Sequence, residues 1–355
     1  MSKRSLCALS FGLLALPALA QDGVQPAAAT TAVPAVVAAQ PVAQPAAADV
    51  VAEAPAQQVL VSGRRPGPGL WKVSKGEHVL WVFGLYSPLP QKMQWDAGRV
   101  ERLVAQSQEV LLPPFAAIGT SWIGTLTVLP AMIGMKKNPD GAKLHDVVPD
   151  DVYARWQALK GKYIGDEDGV ERYRPIFAAE ELMEAGLRKN GLVRSGEVRE
   201  QIEKIARRHD VKTTKTGFTI EIDSPGRALA DFKKSQMQDV ACFTKTLERF
   251  EGDMDAMRTR ANAWANGDLA AIRNLDFAER EDTCNDAVFS SSFAKNNPAF
   301  QGMRERRLAT WLTAAERALA GNASSVAMLS MNDVLGSKSY LAALQARGYT
   351  VESPK

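Results

Sequence analysis

Few residues in this chain are able to do chemistry. Its 355 residues include three histidines, His78, His145 and His209, and three cysteines, Cys7, Cys242 and Cys284. A histidine serves a metal only where other ligands converge on the same ion. His78 precedes the strand it would have to terminate, His145 follows a loop, and His209 ends the charged run IARRHD, so each reads as a surface or structural group. Ser87 holds a more suggestive place. The apolar run Val79-Leu80-Trp81-Val82-Phe83 breaks off at Gly84-Leu85-Tyr86-Ser87-Pro88, and the tip of a central strand is where α/β proteins gather their reactive groups. As a nucleophile, Ser87 would need a base within hydrogen-bond reach and a group to orient it. Its setting is not the Gly-x-Ser-x-Gly elbow, and the plainer reading is a hydroxyl that caps a turn.

The cysteines depend on the compartment. MSKR, the short apolar run SLCALSFGLLALP and the small residues before Gln21 form a secretory signal pattern, with cleavage expected after Ala20. The run is too short to span a bilayer. Cleavage removes Cys7 and leaves Cys242 and Cys284 as an even pair in a periplasmic or secreted protein, which favours a disulfide over two free thiols. Their spacing is far from Cys-x-x-Cys, so redox activity is not expected. The formal net charge is +3, and loss of Lys3 and Arg4 lowers it to +1. No basic stripe exists, which excludes a nucleic-acid footprint. Residues 21–58 are mostly Ala, Pro, Val and Gln. Repeated prolines and the lack of bulky apolar groups make this a disordered tether. A single folded domain is expected over 59–355.

Several elements must position any site. Leu70-Trp71-Lys72-Val73 alternates, Ser74-Lys75-Gly76-Glu77 supplies turn chemistry, and the apolar run follows, so the domain opens on a hairpin. Asp96 can cap a helix carrying Val100, Leu103 and Val104, and Val110-Leu111-Leu112 reads as a strand closed by Pro113-Pro114. Strand, helix, strand is a crossover unit, which calls for a partly parallel sheet. Residues 110–135 carry no charge, but prolines and glycines interrupt them, giving a buried or cavity-lining segment rather than a membrane span. From Asp150 helices dominate. One stripe holds Val152, Trp156 and Leu159; further helices are predicted over 196–208, 227–266, 300–320 and 337–346, with strands over 216–222, 325–331 and 349–351. The fold class is α/β, of mixed α+β character: a central mixed β-sheet, an N-terminal crossover unit and a large helical middle region.

The two ends of the domain carry a resemblance. LWKVSKGEHVLWVFGLYSPLP with VERLVAQSQEVLL resembles the opening of the TraB/GumN family, and RERRLATWLTAAERALAGNASSVAMLSMNDVLGSKSYLAALQARGYTVE resembles its close. KLHDVVPDDVYARWQAL and AWANGDLAAI fit between them, so the likeness covers about 68–353. The resemblance implies two strand tips, each ending in Gly-x-x-His, whose histidines join acidic and arginine residues in a metal site; some relatives are metal-dependent peptidases. Imidazoles at strand tips can hold an ion that activates water or polarises a carbonyl.

Here the pattern is degenerate. Gly84 is kept, but Ser87 stands at the first histidine position. Asn332 stands at the second, with Leu329 in place of its glycine and Asp333 beside it. The expected acidic residue after the second strand is replaced by Pro113-Pro114, and the arginines Arg304 and Arg307 carry over. A serine hydroxyl is a weak ligand, and an Asn carbonyl suits hard cations only. The expectation is therefore an exported pseudoenzyme with no confident catalytic residue, no metal and no cofactor, which binds a peptide or cell-envelope component. The alternative is a divergent hydrolase with a divalent metal held by groups such as Asp333, Glu305 and Asn332. No transmembrane helix is expected in the mature chain.

Overall fold

The computed structural model describes residues 67–354, except 120–131, 195, 223, 236, 253, 274–277 and 337. The expected signal and its cleavage point, Cys7, the expected tether, the first residues of the expected domain and the middle of the uncharged segment lie outside the described residues.

A six-stranded sheet organises the domain, in the order β10 (Thr350–Glu352), β1 (Leu70–Lys75), β2 (His78–Leu85), β9 (Ser324–Ser330), β4 (Glu109–Leu111) and β7 (Lys212–Thr214); outside it β3 (Leu89–Pro90) pairs with β6 (Leu192–Val193). Strand β1 (Leu70–Lys75) pairs antiparallel with β2 (His78–Leu85) as a hairpin and, on its other side, with β10 (Thr350–Glu352). Strand β9 (Ser324–Ser330) lies parallel between β2 and β4 (Glu109–Leu111), and β7 (Lys212–Thr214) adds a further parallel strand. The fold is thus mixed α/β, as expected. The crossover from β2 through helix Gly98–Ala105 to β4 leaves a gap that β9 fills from the far end of the chain.

Burial explains why β9 sits at the centre. Ser325 to Leu329 are all buried, so both faces of the strand are covered. Helix Met303–Gly321 packs across β2, β9 and β4 with Trp311, Leu312, Ala315 and Leu319 inward. Trp71, Phe83, Trp264 and Trp311 belong to the same core. A second cluster, with Trp156, Leu182, Phe243 and Phe250, joins the helices Asp150–Tyr163, Pro175–Lys189 and Val240–Gly252. There Gly186 permits close approach, because a Cβ on it would lie 2.1 Å from the Phe250 ring.

Cys242 and Cys284 form the expected disulfide, with Cα atoms 4.6 Å apart, and it staples helix Val240–Gly252 to helix Ala278–Phe289. Closing a loop of 42 residues stabilises the fold by up to about 4 kcal/mol in the chain-entropy account.

Three expectations change. The helix predicted over 227–266 is three helices, Pro225–Lys234, Val240–Gly252 and Met254–Asn266. Buried Arg174 explains the first break: its guanidinium donates to the carbonyls of Phe232, Lys233 and Ser235, which a helix end leaves free. Asp239 in the same break accepts from the Ile176 N–H and so caps helix Pro175–Lys189. The helix predicted from 337 begins at Tyr340, with the Ser339 hydroxyl accepting from Ala342 N–H at its start. The uncharged segment opens buried, with Val110 and Leu111 in β4, and then forms a partly exposed strand, β5 (Ala116–Gly119), paired with β8 (Phe218–Glu221). Ile118 on it is 56% exposed. Among the described residues no helix is long and apolar enough to cross a membrane.

Candidate functional site

Strands β2 and β9 run side by side in parallel, and their register pairs Gly84 with Leu329 and Leu85 with Ser330. These are the two starting positions of the motif read from the sequence. Ser87 and Asn332 each lie three residues beyond that pair, at the same end of the sheet.

The β2 tip is closed by apolar packing. A Cβ on Gly84 would lie 2.9 Å from Met331 Cε and 3.1 Å from the Trp71 ring, so only glycine fits without displacement. The buried Trp264 Nε1–H donates to the Gly84 carbonyl at 2.7 Å. Ser87 beyond it is exposed.

The β9 tip is polar. The chain turns at once into helix Met331–Leu335, capped by the Ser330 hydroxyl, which accepts from Asp333 N–H at 3.0 Å and donates to Asp333 Oδ2 at 2.7 Å. Arg307, one turn inside helix Met303–Gly321, donates through Nη2 to Asp333 Oδ1 at 2.5 Å and through Nε to the Tyr340 hydroxyl at 2.9 Å. Burial works against the Arg307 charge, but the Asp333 carboxylate and Tyr340 outweigh it and hold its pKa above the ordinary value. Burial also raises the Tyr340 pKa, with Arg307 opposing and Asp333 adding to the rise. Arg304, one turn earlier, gives Nη1 to Asp286 Oδ1 at 3.0 Å.

These groups wall a cavity of about 130 Å³, with Arg304, Glu305, Asn332, Asp333, Lys338 and Tyr340 among its lining. Two residues of that wall each hold a polar atom that is buried without a hydrogen-bond partner: the Nη2 of Arg304 and the Oδ1 of Asn332. Arg304, Arg307, Asn332 and Asp333 therefore come together at one site. Gly84 and Ser87 belong to the neighbouring strand end and do not line this cavity.

The histidines are elsewhere. His78 starts β2, at the opposite end from Gly84, and its Nδ1 lies 2.7 Å from the Asn322 carbonyl. His145 pairs with Asp146, and His209 faces Glu101. The donors at the β9 tip suit a metal poorly. Both Asp333 oxygens are engaged by Arg307 and Ser330, Asn332 offers only a neutral amide, and two arginines stand beside them. Among the described residues no three His, Cys, Asp or Glu side chains converge into a metal-holding group.

The model of the TraB/PrgY/gumN family matches residues 69–353. The chain belongs to that family. Comparisons with curated proteins and with solved structures give no match. The family match takes in both strand tips, the helix that carries Arg304 and Arg307, and the whole six-stranded sheet.

Three participants at the β9 tip escaped the sequence reading. Ser330-x-x-Asp333 is a capping-box spacing that could have tied the two residues together. Tyr340 and Lys338 reach the site only because the chain folds back after helix Met331–Leu335, and no local pattern announces that contact.

Proposed function

We propose that this TraB/PrgY/gumN protein is an exported, metal-free and non-catalytic relative of metal-dependent peptidases, whose β9 cavity binds a peptide or cell-envelope component. The observation that carries the reading is the engagement of Asp333. Its two oxygens accept from Arg307 and Ser330, so the acidic group at the strand tip is committed to holding the fold. A peptidase of this kind needs an ion that lowers the pKa of bound water. Asn332 and the exposed Ser87, at the two motif histidine positions, offer no imidazole to hold one.

The test uses the mature chain purified from the periplasm. Mass spectrometry of the intact protein is expected to give the mass of a chain beginning at Gln21. Elemental measurement is expected to find substoichiometric transition metal, and fluorogenic peptides are expected to survive with or without added Zn²⁺, Mn²⁺ or Co²⁺. A stoichiometric metal that leaves with chelator and takes peptide hydrolysis with it would overturn the proposal and favour the divergent hydrolase.

A further inference from the structure

We infer that the β9 cavity takes the C-terminal residue of a peptide, with its carboxylate held by Arg304 and Lys338 and its amide N–H donated to Asn332. The inference rests on the ligand-binding reading above and names the chemistry of the ligand.

A buried polar group without a partner is costly, so most such groups in folded proteins are satisfied. Two residues of one cavity wall each carry a buried polar atom without a partner, a donor in Arg304 Nη2 and an acceptor in Asn332 Oδ1. A ligand that answers both carries an acceptor oxygen and an N–H. Any peptide group does so, and charge then decides which part of a peptide enters.

Arg307 is neutralised by Asp333 and is not available. Arg304 is shared with Asp286, whose side chain is 68% exposed, and only one edge of its guanidinium is used. Lys338 is exposed and forms no ion pair among the described residues. Helix Met303–Gly321 begins at this wall without a side-chain cap, so its first-turn N–H groups add positive character. These features favour a single anionic group. Glu305, exposed on the same wall, disfavours the denser charge of a phosphate dianion.

Size suits one small residue. About 130 Å³ is close to the volume of a cavity that holds one benzene molecule, so one small residue fits. Leu308 and the Tyr340 ring give that residue an apolar wall. A second cavity of about 360 Å³ adjoins the first and shares Arg304, Glu305 and Lys338 with it. Its other walls include Phe289, Phe300 and Met303, which suit the apolar side chains of preceding residues.

The experiment measures calorimetric binding of the tetrapeptide Ac-Ala-Ala-Phe-Ala, as the free acid and as the C-terminal amide, to the full mature chain. A charge-assisted hydrogen bond is expected to make the acid bind about tenfold or more tighter than the amide. Arg304→Gln and Lys338→Gln should each remove most of that preference, while thermal unfolding of Lys338→Gln stays at the wild-type value because the side chain is exposed and unpaired. Equal binding of acid and amide, no binding of the acid, or an unchanged preference in Lys338→Gln would overturn the inference. Inorganic phosphate binding in place of the acid would overturn it too and reassign the site to phosphate. Cleavage of the peptide would instead sink the non-catalytic reading, while an acid preference in the same assay would still support the carboxylate clamp.

Discussion

The tips of β2 and β9 begin from a paired position, Gly84 opposite Leu329, and finish with opposite chemistry. At the β2 tip the polar group is spent on packing: the Gly84 carbonyl accepts from Trp264, and Trp71 and Met331 close over the glycine. At the β9 tip polar groups are imported. Arg304 and Arg307 come from one helix, Tyr340 and Lys338 from the returning chain, and two polar atoms are left without partners. The difference teaches that equal places in a motif do not make equal sites. A tip becomes a binding site when elements from elsewhere bring polar groups that the fold does not use up.

Breaking the closed tip should cost the most stability. Trp264→Ala removes a fully buried ring that touches Phe83 and Trp95 and leaves the Gly84 carbonyl without its donor. Urea unfolding should show a loss of about 3–5 kcal/mol. The preference for acid over amide peptide should persist wherever the variant is folded, because Trp264 does not line the β9 cavity. A loss below about 1 kcal/mol would show that the β2 tip is not held by this ring.

The polar tip should be softer. Asp333→Ala strands Arg307 and unties Ser330, at a cost of about 1.5–3 kcal/mol for hydrogen bonds to a charged group. Part of that cost is the isolated Arg307 charge. The double variant Asp333→Ala with Arg307→Met should therefore be more stable than Asp333→Ala alone in the same urea titration. If it is less stable, the pair is not the coupled unit described above.

Much of this arrangement could be read from the chain. The hairpin, β9 and helix Met303–Gly321 follow from continuous apolar runs and helical stripes, because both face a single core. The resemblance puts the tips that carry Gly84 and Leu329 at one site, and the parallel register of β2 with β9 brings these positions side by side. What stayed hidden depends on distant partners. The break after Lys234 is set by Arg174, about sixty residues earlier, whose buried guanidinium binds carbonyls there. Strand β7 is only Lys212–Thr214, with polar, largely exposed side chains, and it exists because β4 offers it an edge. Over 110–135 the absence of charge accompanies burial at Val110 and Leu111 but not along β5, where Ile118 is exposed.

The smallest change in stability, and the sharpest test of the comparison, comes from restoring imidazoles to both tips. Ser87→His alters an exposed side chain, where substitutions usually cost within about 0.5 kcal/mol. Asn332→His replaces a half-buried amide with no hydrogen bond at its oxygen. Neighbouring strands lie about 4.8 Å apart, and the two tips leave the sheet side by side at Gly84 and Leu329. The double variant is expected to bind Zn²⁺ in a calorimetric titration under conditions where the wild type does not. Adding Arg307→Met frees an oxygen of Asp333 as a third ligand and should tighten that binding further. If the double and triple variants bind no more Zn²⁺ than the wild type, the two tips do not converge. The β9 cavity would then stand as a site independent of β2, and the kinship of Ser87 to the motif would be a matter of sequence alone.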